Sequence, residues 1–186
     1  MIDAVILAGG KSSRMGEDKA LLPFRGYNSL AKYQYERLKK LFPRVYISTK
    51  EPKFDFEAPL LFDKSSEISS PLIALQSILE QLQKPIFLIA VDMPFVPLSE
   101  IQKLLALYQK KPNFDAYIFK SPHGLEPTCA IYTPKTLHTI SHMIDQKLHK
   151  MNIFLSKINI SMVQSKHEKY FTNLNYKEEY QKALFI

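Results

Sequence analysis

The chain has 186 residues, 46% hydrophobic and 23% charged, a balance expected of a globular fold and not of a disordered chain, and no apolar run approaches the roughly 20 residues that span a bilayer. At this length a single domain, residues 1–186, is expected, large enough to bury roughly 70% of its unfolded surface without a metal or disulfide staple. Lys and Arg number 25 against 18 Asp and Glu, so the net charge of +7 favours an anionic partner; the cations are scattered near helix ends and are not interleaved with aromatics, which argues against nucleic acid.

The chain opens on an apolar run, 4–8, that reads as a buried strand. It enters that run directly from Met1-Ile2-Asp3, without the charged, apolar and small-residue pattern of a secretory leader, so the expected location is the cytoplasm. Gly9 and Gly10 follow and remove side chains where backbone must come close to something. Next comes a polar loop with Lys11, Arg14 and Lys19, whose N–H groups and cations suit a phosphate. A strand followed by a glycine turn is common, so the loop alone decides nothing.

Apolar positions Leu30, Tyr33, Leu38 and Leu41 return at helical intervals and predict a helix over 29–41, ended by Pro43. A short strand, 45–48, leaves Ser48 at its carboxyl end, and a turn-rich stretch with Pro52 and Pro59 leads to a second short strand, 60–63, stopped by Asp63. Pro71 opens a helix over 72–82, after which 85–93 forms the most hydrophobic strand and ends on Asp92. A helix over 99–108 is predicted with Ser99 as its N-cap, then strands 115–120 and 128–132 flanking a loop, 121–127. Helices over 136–147 and 152–157, a strand at 162–164 and a last helix over 177–185 complete the chain. The single cysteine, Cys129, rules out a disulfide framework within the chain and sits among Thr-Cys-Ala-Ile-Tyr as a small buried residue.

Continuous apolar strands alternating with helices predict a three-layer α/β/α, Rossmann-like fold with a mostly parallel central sheet. Ligands in such sheets bind outside the carboxyl ends of the strands, an edge that Gly9, Gly10, Ser48, Asp63 and Asp92 would share. Asp92, followed by the strand-stopping Met93-Pro94, either caps its own turn or serves as a hard oxygen ligand for Mg²⁺; the glycine loop on the same edge favours the metal. Lys19 and Arg14 supply the positive charge that a phosphoryl-transfer site needs. Lys19 is followed by Ala20, so the loop is not a P-loop, and it lacks the dinucleotide glycine spacing. His138 and His142 share a helix face without the intervening acid of a zinc protease and read as solvated.

Leu7-Ala8-Gly9-Gly10-Lys11-Ser12-Ser13-Arg14-Met15-Gly16-Glu17-Asp18-Lys19 resembles the N-terminal signature of the molybdenum cofactor guanylyltransferases, which share the nucleotide-diphospho-sugar transferase-like fold; the wider group usually has Pro-Lys where this chain has Asp18-Lys19. Asp63 with Ser70-Pro71-Leu72, Val91-Asp92-Met93-Pro94, Glu126-Pro127-Thr128 and Asn173-Leu174-Asn175 extend the resemblance in order along nearly the whole chain. It implies that Leu7, Ala8 and Gly9 contact the guanine nucleotide, Lys19 its base or phosphates, Asp63 the nucleoside and Asp92 the Mg²⁺, with Gly10 and Arg14 on the pyrophosphate side. Ser48 stands where relatives often have Asn, Ser70 where they have Gly, and Tyr176-Lys177 where they have Thr-Pro.

The implied reaction is transfer of GMP from GTP to the terminal phosphate of molybdopterin or its molybdenum-bearing form, with Mg²⁺ as cofactor and Arg14, Lys19 and Asp92 as the catalytic groups. The pterin is expected near Pro127 and residues 173–175. The resemblance also suggests molybdenum-insertion and acceptor molybdoenzyme proteins as partners, and neither nucleic acid nor membrane. The alternatives are a cytidylyltransferase, a sugar-1-phosphate nucleotidylyltransferase and, outside the enzymes, a nucleotide-binding protein that delivers the cofactor.

Overall fold

The computed structural model describes residues 2–10, 16–63 and 70–185. Seven strands form one sheet: β1 (Asp3–Leu7), β2 (Val45–Thr49), β3 (Leu60–Phe62), β4 (Ile86–Ala90), β5 (Ala116–Ser121), β6 (Gly124–Tyr132) and β7 (Ile160–Gln164), in the order β3-β2-β1-β4-β6-β5-β7. All pairings are parallel except those of β6, which runs against both β4 and β5. The sheet is therefore mostly parallel, as the apolar runs predict, and β6 is its one reversed strand, which those runs do not single out. The reason is local. Gly124, at φ +128, lets the chain turn back at once from β5 into β6, where a parallel return would need a crossover.

Two cores cover the two faces, as strand alternation dictates. Ala4, Ile6, Phe87 and Ile89 point to the side of α1 (Leu30–Leu38) and α3 (Leu98–Lys110), whereas Val5, Ile86 and Leu88 point to the side of α2 (Pro71–Leu82), α4 (Leu137–Asp145) and α5 (Met151–Leu155). Helix starts follow their caps: Ser29 Oγ accepts from Lys32 N and Ser70 Oγ from Ile73 N, each at 3.2 Å, with Pro71 opening α2. Ser99 is not a cap. The fixed φ of Pro97 starts α3 one residue earlier, so Ser99 lies inside the helix and no side chain caps it.

The segment expected to be a loop, 121–127, belongs mostly to β6. Ile118 pairs with Ala130 but Lys120 with Leu125, so several β6 residues oppose Phe119 alone, and this irregularity accommodates Pro127, which has no N–H for the ladder. The last helix, α6 (Lys177–Ala183), returns across the α1 side, where Tyr180 donates its hydroxyl to Pro23 O. No helix among the described residues is long and apolar enough to cross a membrane. Cys129 is fully buried and burial pushes its thiol pKa up, so it serves packing.

The chain runs from β1 outward through β2 to β3, then returns to β4 on the other side of β1. The crevice created where the strand order reverses lies at the carboxyl ends of β1 and β4, between Leu7 and Ala90.

Candidate active site

A cavity of about 570 Å³ opens at that crevice, large enough for a nucleotide with its phosphates. Leu7, Ala8, Gly9 and Gly10 line it from β1, Ser48 from β2, Asp63 from the end of β3, and Val91 and Asp92 from the end of β4, together with Lys19. The nucleotide and metal residues expected from the sequence thus line the same cavity, whereas Lys11 and Arg14 lie outside the described residues; of the expected pterin residues Asn173 lines it, and Pro127, Leu174 and Asn175 do not.

Gly9 leaves room for the Asp63 carboxylate. A Cβ there would come within 3.3 Å of Asp63 Oδ2, so the carboxylate would have to give by a few tenths of an ångström, and would meet Thr49 Cα at an ordinary 3.7 Å. Asp63 accepts a hydrogen bond from Ser48 Oγ at 3.1 Å. Burial pushes its carboxyl pKa above the usual carboxylate range, against the opposing pull of that hydrogen bond and of the Lys50 charge. A carboxylate stripped of water in this way gains more than an exposed one from donors that a ligand brings.

Lys19 sits on a single 3₁₀ turn, Lys19–Leu21, whose N-cap is Asp18: Oδ1 of Asp18 accepts from Ala20 N at 3.0 Å. Lys19 Nζ donates to Asp92 Oδ2 at 2.9 Å and to Asn175 Oδ1 at 3.1 Å. The side chains of Lys19 and Asp92 are 17% and 19% exposed, so this pair is screened far less than a surface ion pair. The pairing also draws the C-terminal segment in, and Leu174 N donates to Asp92 O at 2.9 Å. Asn173 and Thr128 close the far wall, and Asn173 Oδ1 has no partner among the described residues.

Lys53 is the functional neighbour that the sequence does not announce. It stands in the turn-rich stretch after β2, yet its Nζ reaches back to Ala8 O at 2.9 Å and forms an ion pair with the other oxygen of Asp18. Asp18 is therefore held twice, by the turn it caps and by Lys53, and this double hold fixes the turn that presents Lys19. The partners are 35 residues apart, so no local spacing marks them. Replacing Lys53 by Met removes a half-buried charged hydrogen bond worth about 2 kcal/mol. The expected result is a melting temperature lower by about 4–8 °C, read in a thermal melt beside Lys53→Arg; an unchanged Tm would mean that Asp18 is held without it.

The described carboxylates of the cavity are Asp18, Asp63 and Asp92, and no group of three or more His, Cys, Asp or Glu among the described residues could hold a metal by protein ligands alone. One carboxylate at a strand end, facing space for phosphates, does fit Mg²⁺, which takes one or two carboxylates and fills its shell with water and phosphate oxygens. Asp92, at the end of β4, has that placement, as does Asp63 at the end of β3. His138 and His142 are both exposed on α4, away from this edge of the sheet, as a solvated pair should be.

The chain is similar to known nucleotidyltransferases. The family model described as the MobA-like NTP transferase domain matches residues 4–158. A molybdenum cofactor guanylyltransferase of Campylobacter jejuni is 36% identical over 183 residues, 97% of this chain and 94% of that relative. One of Helicobacter pylori is 34% identical over 191 residues, covering 100% of this chain and 92% of its own. The crystal structure of molybdopterin-guanine dinucleotide biosynthesis protein A from Archaeoglobus fulgidus superposes with a TM-score of 0.82 at 21% identity, over 99% of this chain and 97% of that one. At that identity the likeness speaks for the fold alone.

Proposed function

The chain belongs to the MobA-like NTP transferase family, and from that premise we propose that it transfers GMP from GTP to the terminal phosphate of molybdopterin, giving the guanine dinucleotide and pyrophosphate. A single observation carries the reading: the Gly9 strand end, the Ser48–Asp63 pair and the Lys19–Asp92 pair share one cavity at the switch point of the sheet.

In the reaction an oxygen of the pterin phosphate bonds to the α-phosphorus of GTP while the bond from that phosphorus to the bridging oxygen of the β-phosphate breaks. No covalent enzyme intermediate is required, so the protein's contribution is alignment and charge. Main-chain groups of residues 7–10 receive the nucleotide where no side chain intrudes, with Leu7 and Ala8 forming the floor. Asp63, desolvated and oriented by Ser48, suits the adjacent N1–H and N2–H₂ donors of guanine, a donor pair that cytosine lacks.

Lys19 brings positive charge against the phosphates, held in place by Asp92 and Asn175. Arg14, between Gly10 and Lys19 in the sequence, is assigned the pyrophosphate side as a second cation. Asp92 is the residue that would hold Mg²⁺, which, when bound, neutralises charge developing on the phosphate oxygens. The pterin is placed toward Thr128 and Asn173, on the far wall. We assign the whole span 1–186 to this one activity, in the cytoplasm.

A nucleotide panel tests the base and the acceptor together. With molybdopterin present, pyrophosphate release is expected with GTP and not with CTP or ATP. Release with CTP would make the chain a cytidylyltransferase, and release with a sugar phosphate as acceptor would move it to the sugar nucleotidyltransferases. GTP binding without release from any acceptor would favour the non-catalytic delivery protein.

A further inference from the structure

The turn that carries Asp92 is tied to α1 by two polar side chains buried in an otherwise apolar contact. Gln34 is completely buried, and its Nε2 donates to Met93 O at 3.0 Å and to Val91 O at 3.4 Å, the carbonyls on either side of Asp92. Arg37, on the same face of α1 three residues later, donates from Nη1 to Pro94 O at 3.0 Å and to Val96 O at 2.6 Å. The remaining groups of the turn are also engaged: Val91 N donates to Leu7 O, Met93 N to Ala90 O, and Asp92 O accepts from Leu174 N.

Helix-on-sheet packing does not ask for these groups. The same face of α1 buries Leu30, Ala31 and Leu38, and aliphatic side chains at 34 and 37 would continue that pattern without removing an amide and a guanidinium from water. Both side chains carry a desolvation cost that their own bonding only partly offsets: among the described residues Gln34 Oε1, Arg37 Nε and Arg37 Nη2 have no partner. The Arg37 guanidinium also lies over the Tyr33 ring at 5.8 Å, but the hydrogen bonds from Gln34 Nε2 and Arg37 Nη1 go to main-chain carbonyls of residues 91–96.

We propose that Gln34 and Arg37 are positioning residues for the reaction: by fixing the carbonyls flanking and following Asp92, they hold its carboxylate on the cavity side of the sheet against Lys19. The inference rests on the reading of Asp92 as the group acting at the phosphates, and it adds the helix that aims it. A carboxylate at the end of a strand followed by Pro94 has no ladder beyond it to fix its direction, and a buried donor pair on α1 supplies what the ladder cannot.

The test is Gln34→Leu, which keeps side-chain volume and removes the donor. Turnover is expected to fall about ten- to hundredfold, as for a misplaced group, with the KM for GTP within about threefold of wild type. Amide hydrogen exchange is expected to quicken at Met93 and Leu174, whose bonds report the turn, and to stay unchanged through β1 and β4. Wild-type kcat in Gln34→Leu would overturn the proposal, as would a loss in which kcat, KM and exchange through the strands change together. If Gln34→Leu does not fold, Arg37→Met is read the same way, with Arg37→Lys expected to restore turnover because one ammonium can serve both carbonyls. Asp92→Asn, measured alongside, separates the two claims: if it is inactive while Gln34→Leu is not, only the positioning role falls, whereas an active Asp92→Asn removes the reading beneath it.

Discussion

Asp92→Asn is expected to lower turnover by about 10²- to 10⁴-fold, the range set by removing a charged ligand from a metal-assisted phosphoryl transfer. The substitution keeps the shape of the side chain, and its amide oxygen can still accept from Lys19 Nζ, so the turn at 91–96 and its ties to Gln34 and Leu174 remain. What disappears is the negative charge. Without a divalent cation that charge repels the phosphates, so metal-free GTP should bind the variant more tightly than wild type. With Mg²⁺ the order should reverse, because wild type gains affinity from the cation and the variant does not. Calorimetry with and without the metal reads both signs, and a variant that still gains affinity from Mg²⁺ would place the cation elsewhere.

Lys19→Met is expected to cost about 10²- to 10³-fold in kcat/KM, the loss typical of deleting one preorganised donor at a site of developing charge. Its signature differs from that of Asp92→Asn. The methionine leaves Asp92 without its cation in a cavity that also contains Asp63, so GTP affinity should fall in the absence of metal instead of rising. The two side chains are 2.9 Å apart, and their effects should not add. In the double variant Lys19→Met with Asp92→Asn, metal-free GTP binding is expected to recover much of what Lys19→Met loses, since the uncompensated carboxylate is gone. Additive losses would mean that the pair does not act as a unit.

Much of this site was legible because its residues stand at strand ends. Gly9, Ser48, Asp63 and Asp92 each close an apolar run, and parallel pairing of β1 with β2 and β4 forces those ends to one edge. The helix starts at Ser29 and Ser70 were equally readable, since a cap acts within three residues of itself. The contacts between remote segments were not. Lys53 meets Asp18, Asn175 meets Lys19 and Gln34 meets the Asp92 turn across 35, 156 and 57 or more residues, and nothing in the neighbouring sequence encodes the meeting. Gln34 in particular interrupts the apolar face of α1 and by itself looks like a fault in the pattern.

The sequence predicts a mostly parallel sheet without showing which strand is reversed, for a related reason. An apolar strand buried on both faces reads the same in either direction, and only Gly124, inside a stretch that looks like a loop, indicates that β6 turns straight back. Its consequence is positional, because the reversal starts β6 at the ligand edge and puts Thr128 beside the carboxyl end of β4, on the cavity lining.

The most direct test of guanylyl transfer uses GTP labelled at the α-phosphate, incubated with the enzyme, Mg²⁺ and molybdopterin. The label is expected in a pterin guanine dinucleotide of the corresponding mass, formed one for one with unlabelled pyrophosphate. Label recovered only as GMP or as unreacted GTP, with molybdopterin unchanged, would contradict it.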